Sequence, residues 1–253
     1  MTPRLAGPPP PGVAVPAAVR AALDARGFRD AVLRPAWRNE AGGLTFSVAS
    51  GGAGHAVDLY AKWNPVASGE SLGDEAERLR WIAGRHPAPA VVDLMTDAGE
   101  EVLLTRALPG ESAVSERWAR DPDAALRALG TGLRRLHDVP LDGCPFDGGV
   151  AHRLRAAHVP AGTVEPAPPI DRLVLCQGDP CAPNTLLAGD GSFLAHVDLA
   201  RLGAADRWAD LAVMTMSLEW NYRGYDEAVF WEAYGAEPDP IRIAYYRRLW
   251  DAT

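Results

Sequence analysis

Asp179 and Asn184 stand five residues apart in the run Cys176-Gln177-Gly178-Asp179-Pro180-Cys181-Ala182-Pro183-Asn184, and a second carboxylate, Asp198, follows in His196-Val197-Asp198-Leu199. In a D-x-x-x-x-N spacing the carboxylate can accept a proton from an attacking hydroxyl and the amide oxygen can hold a metal ion. The later aspartate is then the main magnesium ligand bridging nucleotide phosphates. The chemistry indicated is phosphoryl transfer. Asp and Asn are also ordinary turn residues and two prolines lie in the run, so the spacing taken alone fits a surface loop equally well. Its flanks favour a site. Leu173 to Cys176 reads as a buried strand leading in, and Thr185 to Leu187 and Phe193 to Val197 read as a hairpin leading out around Gly189-Asp190-Gly191.

A phosphoryl-transfer site needs elements that hold the nucleotide. Residues 32–36, 44–49 and 56–63 read as successive strands, and Gly42 and Gly43 in the first link fit either a loop lying over phosphates or a plain hairpin turn. Lys62, at the end of Asp58-Leu59-Tyr60-Ala61-Lys62, is the kind of strand lysine that pairs with nucleotide phosphates. A solvated strand end explains it as well. The segment 74–82 has helical spacing with Ala76, Leu79 and Ile82 inward, so Glu75 near its start is placed to pair with Lys62, with Glu77 as the competing candidate. Two acids favouring a helix N-terminus is the plainer reading. Strands over 91–95 and 101–105 turn through Asp97-Ala98-Gly99, and the chain leaves them at Arg106-Ala107-Leu108-Pro109-Gly110.

Composition narrows the alternatives. The chain has 253 residues and a formal net charge of −8, which argues against a nucleic-acid surface and is compatible with a cationic small-molecule substrate. Three cysteines and no basic, apolar leader point to a reducing cytoplasm. Cys144, Cys176 and Cys181 read as small core residues, and no His or Cys spacing supports zinc. No apolar run is long enough to span a membrane. Residues 1–16, with Pro8-Pro9-Pro10-Pro11, read as a flexible arm, and a short helix spans 19–28. Further amphipathic helices are expected over 124–137 and 208–220, with Met214, Met216 and Trp220 in the core, while 160–170 is Pro-rich and loop-like. His137, near a helix end, suits a packed or charge-compensating role better than catalysis.

From about residue 30 the chain resembles the aminoglycoside O-phosphotransferases, in the 173–184 run, in Val197-Asp198-Leu199-Ala200-Arg201-Leu202-Gly203-Ala204-Ala205-Asp206-Arg207-Trp208-Ala209-Asp210-Leu211-Ala212, in Cys144-Pro145-Phe146-Asp147 and in Ile243-Ala244-Tyr245-Tyr246. The last two resemble members acting on a 3′ or 3″ hydroxyl. The resemblance implies an α+β, two-lobed protein-kinase-like fold, with an antiparallel sheet and helix in the N-lobe and a larger, mainly helical C-lobe. It divides the chain into a nucleotide-binding lobe over 17–105, a hinge over 106–110 and a catalytic lobe over 111–253. It implies ATP or GTP and Mg²⁺ as cofactors. Asp179 becomes the catalytic base, and Asn184 and Asp198 the metal ligands. Lys62, paired with Glu75, holds the phosphates under Gly42 and Gly43, while Thr105 and Ala107 flank the adenine edge. Arg201 lies toward phosphate and substrate, and Asp210 braces the catalytic loop. Glu219, Asp251 and Thr253 with its terminal carboxylate are the candidate contacts to the amines of a cationic antibiotic. A monomer or weak dimer is expected.

The departures bear on substrate. Gln177 stands where the family usually has His, a supporting position whose hydrogen bonding an amide can still supply. Only 31 residues separate Asp147 from Asp179, and Pro160 to Pro169 fill much of that stretch, so the family's acidic wall is reduced. Glu219-Trp220-Asn221 leaves one acid slightly out of register with the family's acid pair. The leading reading is an antibiotic kinase conferring resistance. The alternatives are a metabolic small-molecule kinase of the choline, homoserine or sugar type and a nucleotide-binding pseudokinase scaffold.

Overall fold

The computed structural model describes residues 6–10, 12–51, 56–160 and 162–253. The chain divides into two compact units, one formed by Met1–Ala83 and Pro89–Leu108 and the other by Gly84–Ala88 and Pro109–Thr253.

The first unit comprises α1 (Ala17–Ala25), β1 (Val32–Arg38), β2 (Leu44–Ala49), β3 (Leu59–Pro65), α2 (Leu72–Ile82), β4 (Val91–Asp97) and β5 (Glu100–Arg106). Its antiparallel sheet has the order β1-β2-β3-β5-β4. Strand alternation sorts the two faces. Leu59 and Ala61 of β3 and Val102 and Leu104 of β5 join Val19, Ala22 and Leu23 of α1 in one buried cluster. Lys62, one residue out of phase, is thereby turned to the opposite face. There α2 packs on β3, β5 and β4. Ser71 caps α2 by accepting the Asp74 N–H, and the buried Glu101 carboxylate accepts the Leu72 N–H at 2.7 Å. The β4–β5 turn places Ala98 and Gly99 both at positive φ, as a two-residue hairpin demands.

Of the arm expected over 1–16, residues 1–5 and 11 lie outside the described residues. The remainder is tied to this unit: Gly7 and Arg38 exchange N–H···O bonds of 2.9 and 2.8 Å, and Val13 and Val15 pack against the α1 cluster.

The second unit comprises β6 (Glu111–Ser112), α3 (Glu116–Ala119), α4 (Pro122–His137), α5 (Val150–Ala156), β7 (Leu173–Cys176), β8 (Thr185–Leu187), β9 (Phe193–His196), β10 (Gly203–Asp206), α6 (Trp208–Asn221), α7 (Glu227–Tyr234) and α8 (Pro240–Ala252). β7 pairs antiparallel with β10 through Gly203↔Cys176 to Asp206↔Leu173, and β6, β8 and β9 form a second small sheet. The core is helical, with Leu126, Leu129 and Leu133 of α4 meeting Leu211, Met214 and Leu218 of α6 and Phe230 and Tyr234 of α7. α6 is buried on every side from Trp208 to Leu218, unlike the amphipathic helix expected. Trp220, expected in the core, is 43% exposed. Of the three cysteines only Cys176 is buried.

Gly84–Ala88, which follows α2 in the chain, packs within this second unit. His86 stacks on His196 with ring centres 5.0 Å apart, and their Nε2 and Nδ1 are 3.0 Å apart. The Pro87 carbonyl accepts the His196 N–H. No helix among the described residues is long and apolar enough to cross a membrane.

Candidate active site

In the first unit Lys62 Nζ lies 2.7 and 2.8 Å from the two carboxylate oxygens of Glu75. Glu75 is 3% exposed and its competitor Glu77 faces solvent. A carboxylate so deeply desolvated requires a cation, and strand phase and the first turn of α2 supply one. Gly42 and Gly43 occupy a tight hairpin turn between β1 and β2. Gly42 has φ +89°, and a Cβ on Gly43 would fall 1.7 Å from Asn64 Oδ1, so neither position accepts a larger residue without rearrangement. Asn39 Oδ1 accepts the Gly43 N–H, and Asn39 Nδ2 donates to Glu70 at 2.6 Å. Thr105 is buried in β5, paired with Tyr60. The Ala107 N–H donates to the Asp58 carbonyl at 3.1 Å, so that donor closes the sheet and the residue's carbonyl is the group to consider for an adenine edge.

In the second unit the loop after β7 is clamped from α6. The Asp210 carboxylate, fully buried, accepts the Gln177 N–H at 2.6 Å and the Gly178 N–H at 3.1 Å. His137 Nε2 lies 3.1 Å from Asp210 Oδ2, and His137 Nδ1 lies 2.9 Å from the Tyr234 hydroxyl. Each polar atom of this buried chain has a partner, as burial demands. Cys176 completes a group with ligand-like spacing. Its thiol donates to the Asp206 carbonyl, and with Asp210 and His137 already engaged the cluster reads as a brace. The sequence anticipated Asp210 here. His137 as its partner carried no such signal, because the two are 73 residues apart.

Beyond the clamp, Gly178 has φ +86°, and a Cβ there would fall 2.1 Å from the Arg201 carbonyl oxygen. Asp179 follows. Its Oδ1 is buried and has no hydrogen-bond partner among the described residues. Burial raises the Asp179 pKa above the usual carboxylate range and the Asp198 charge adds to this, while the Cys181 thiol, Arg201 and Asn184 oppose it. Asn184 Nδ2 donates to the Asp179 carbonyl at 3.0 Å. That bond commits the amide nitrogen and fixes the side-chain oxygen as the group available to a cation. Val197 N–H donates to the Asn184 carbonyl, which ties the loop to the segment bearing Asp198. Asp198 has φ +59°, a left-handed conformation that Asp tolerates better than most residues and that recurs at functional sites. Two hard oxygen donors, Asn184 Oδ1 and the Asp198 carboxylate, suit Mg²⁺. Gln177 is wholly buried and bridges the two segments, with Nε2 donating to the Val197 carbonyl at 3.1 Å.

The expected substrate contacts are dispersed within the second unit. Glu219, on α6, pairs with Arg247 of α8 at 2.6 Å. Asp251 is exposed at the end of α8. The Thr253 hydroxyl donates to the Leu249 carbonyl and accepts from Arg153. Arg201 lies with its guanidinium carbon 5.7 Å from the centre of the Trp250 ring, and Arg153, from α5, lies 5.4 Å from the same ring. Neither Arg153 nor Trp250 was anticipated, since nothing local in the sequence marks them.

Known proteins share this arrangement of elements. The chain matches the phosphotransferase enzyme family over residues 40–158. It is 33% identical to a streptomycin 3″-kinase of Streptomyces griseus, covering 82% of this chain and 92% of that protein. It is 34% identical to an aminoglycoside 3′-phosphotransferase of Streptomyces ribosidificus, covering 78% and 87%. Among solved structures, an aminoglycoside-3′-phosphotransferase of type VIII superposes with a TM-score of 0.74 at 26% identity over 94% of this chain and all of that one. Aminoglycoside phosphotransferase APH(3″)-Id of Streptomyces rimosus in complex with ADP and streptomycin superposes with a TM-score of 0.71 at 25% identity over 93% and 98%.

Proposed function

The chain belongs to the aminoglycoside phosphotransferase family, and from that membership we propose that it transfers the terminal phosphoryl group of ATP or GTP to a hydroxyl of an aminoglycoside or related antibiotic. The observation that carries this reading is the state of Asp179. One carboxylate oxygen is buried without a partner, beside an asparagine whose amide nitrogen is already committed. Such an oxygen is placed to accept the proton of an acceptor hydroxyl, and its raised pKa makes it a stronger base than a free carboxylate.

Each remaining role follows from a group's chemistry. Lys62, held by Glu75, offers a fixed positive charge to the phosphates. Asn184 and Asp198 are the residues that would hold Mg²⁺, which when bound neutralises charge on the phosphate oxygens. Gln177 and Asp210 keep Asp179 in place, and such positioning accounts for much of the rate in phosphoryl transfer. The ADP and streptomycin bound by the Streptomyces rimosus relative support a nucleotide donor and an aminoglycoside acceptor.

The test is a transfer assay on purified protein with Mg²⁺, either nucleotide, and a panel of aminoglycosides, streptomycin, hygromycin, peptide and nucleoside antibiotics, read as the mass gained by the acceptor. Asp179→Ala should abolish transfer and leave nucleotide binding intact. Turnover retained in that variant would remove Asp179 as the base. A metabolic small-molecule kinase is the second reading, favoured by the pairing of Glu219 with Arg247, which withdraws an acid from any polycation. Absence of protection against every drug in an expressing strain would favour it.

A further inference from the structure

A serine or threonine inside a helix ordinarily turns its hydroxyl back to a carbonyl of the preceding turn. On α6 Thr215 does so, donating to the Ala212 carbonyl at 2.7 Å. Ser217, wholly buried on the same helix, accepts from outside it: the Ala182 N–H donates to Ser217 Oγ at 2.8 Å. Asn221 Nδ2, one turn further on, donates to the same oxygen at 3.1 Å and to the Ser217 carbonyl at 2.8 Å. Both acceptor positions of the hydroxyl are then filled, which holds Oγ toward the loop after β7.

Ala182 opens a single turn of 3₁₀ helix over Ala182–Asn184. The N–H at the start of such a turn has no partner within it, and away from water it must find one elsewhere. The Asn184 N–H closes the turn onto the Cys181 carbonyl at 2.9 Å, so Cys181 to Asn184 form one piece. Asn184 Nδ2 and the Cys181 N–H both donate to the Asp179 carbonyl, at 3.0 and 2.8 Å. Where Ala182 is held therefore decides where Asn184 Oδ1 stands relative to Asp179.

Asp210 and Ser217 are seven positions apart on α6, two turns of helix, so they face the same way about 10 Å apart along its axis. Asp210 holds the Gln177 and Gly178 N–H groups ahead of Asp179, and Ser217 holds the Ala182 N–H beyond it. One helix thus grips the loop on both sides of the base, and the interval between the grips is a property of α6. The Cys181 thiol, between them, meets both Asp179 and Ser217: burial and then Asp179 raise its pKa, while the Ser217 hydroxyl opposes them.

We propose that Ser217 is a positioning residue for Asn184. By holding Ala182 it sets the distance between the candidate Mg²⁺ ligand and the base, and Asn221 keeps its hydroxyl aimed. Calling Asn184 a metal ligand rests on the phosphotransferase reading, whereas the hold of Ser217 on its segment does not.

The test measures binding of Mn²⁺ to the full-length protein in the presence of ADP, by water-proton relaxation, together with hydrogen exchange at the Ala182 amide. Ser217→Ala should lower Mn²⁺ affinity by about tenfold, the low end for residues that orient a metal ligand, and speed exchange at Ala182, with ADP affinity in the absence of metal unchanged. Thr215→Val, which removes another buried hydroxyl of α6, should leave Mn²⁺ affinity as it is. If Ser217→Ala does not fold, Asn221→Ala, at a half-buried position near the helix end, should shift Mn²⁺ affinity the same way by a smaller factor. Three results overturn the proposal. One is Mn²⁺ affinity unchanged in the folded variant, which would make the Ser217 bond one of packing alone. Another is an equal loss in Thr215→Val, which would assign the effect to a general loosening of α6. The third is no binding of Mn²⁺ by the natural protein with ADP. Failure of every drug to be phosphorylated, with the Mn²⁺ shift present, would undo the phosphotransferase reading and leave the role of Ser217 standing.

Discussion

Asp210→Ala is the substitution whose consequences the structure defines most closely. It removes the acceptor of two backbone N–H groups, those of Gln177 and Gly178, and the partner of His137 Nε2, all in a region closed to water. Hydrogen bonds to a charged group contribute roughly 1.5–3 kcal/mol each. Losing the two backbone bonds alone should therefore cost about 3–6 kcal/mol, a large share of the ~5–15 kcal/mol by which a domain is stable. Local consequences come first, because these bonds hold the two residues that precede Asp179. Their amides should lose hydrogen-exchange protection at denaturant concentrations where the β3 and β5 amides of the first unit keep theirs. In a variant that remains folded, kcat should fall by two orders of magnitude or so, because small displacements of a base are costly, while nucleotide affinity changes little. Urea unfolding followed by exchange-coupled NMR measures the first effects and steady-state kinetics the second. A variant destabilised by less than about 1 kcal/mol, with Gln177 and Gly178 still protected, would refute the reasoning that Asp210 is the clamp.

Asp179→Asn should abolish transfer and raise the thermal midpoint at neutral pH. The folded state holds the Asp179 pKa above its unfolded value, so its ionisation destabilises the fold as pH rises through the folded pKa. The gain should vanish below the unfolded carboxylate pKa of about 3.9, and a midpoint unchanged across that range would contradict it. His86 behaves oppositely. Burial first, then Arg135 and His137, lower its pKa to about 4, so stability should fall as pH drops from its ordinary value of about 6.5 toward 4. Thermal midpoints against pH for His86→Phe should lose that part of the slope. Gly178→Ala requires both a left-handed alanine and displacement of the Arg201 carbonyl. It should cost at least about 2 kcal/mol and most of the activity, measured by denaturant midpoint and transfer rate.

Local pattern made the strands, α2 and α4 readable. Alternation along Leu59, Ala61 and Lys62 turns the lysine away from the α1 cluster, whereas Glu75 and Glu77 both stayed candidates until the structure put Glu75 on Lys62. The run from Asp179 to Asn184 stood out as a candidate because its spacing is short and strands flank it, although the spacing alone fits a surface loop equally well. α6 was misread in character because its polar residues Asp210, Thr215 and Ser217 look like a solvent-facing side until the partners that bury them are known. The chain from Asp210 through His137 to Tyr234 and the meeting of Arg153, Arg201 and Trp250 are contacts across 49 to 97 residues. They depend on which helices pack together, and single-sequence periodicity does not specify that. Substrate contacts fared least well for the same reason: Glu219 looked available until Arg247, a turn from the end of α8, was found on it.

The placement of Gly84–Ala88 has a consequence for biosynthesis. This short piece is translated immediately after α2, yet its packing partners Phe193 and His196 emerge more than a hundred residues later. The second unit is therefore discontinuous in the gene. A polypeptide cut at the junction of Leu108 and Pro109 would leave the remainder of the second unit lacking the ring that stacks on His196, two residues before Asp198. During synthesis the imidazole of His86 remains uncovered until β9 leaves the ribosome. The segment of the second unit that is made first thus waits for partners made much later.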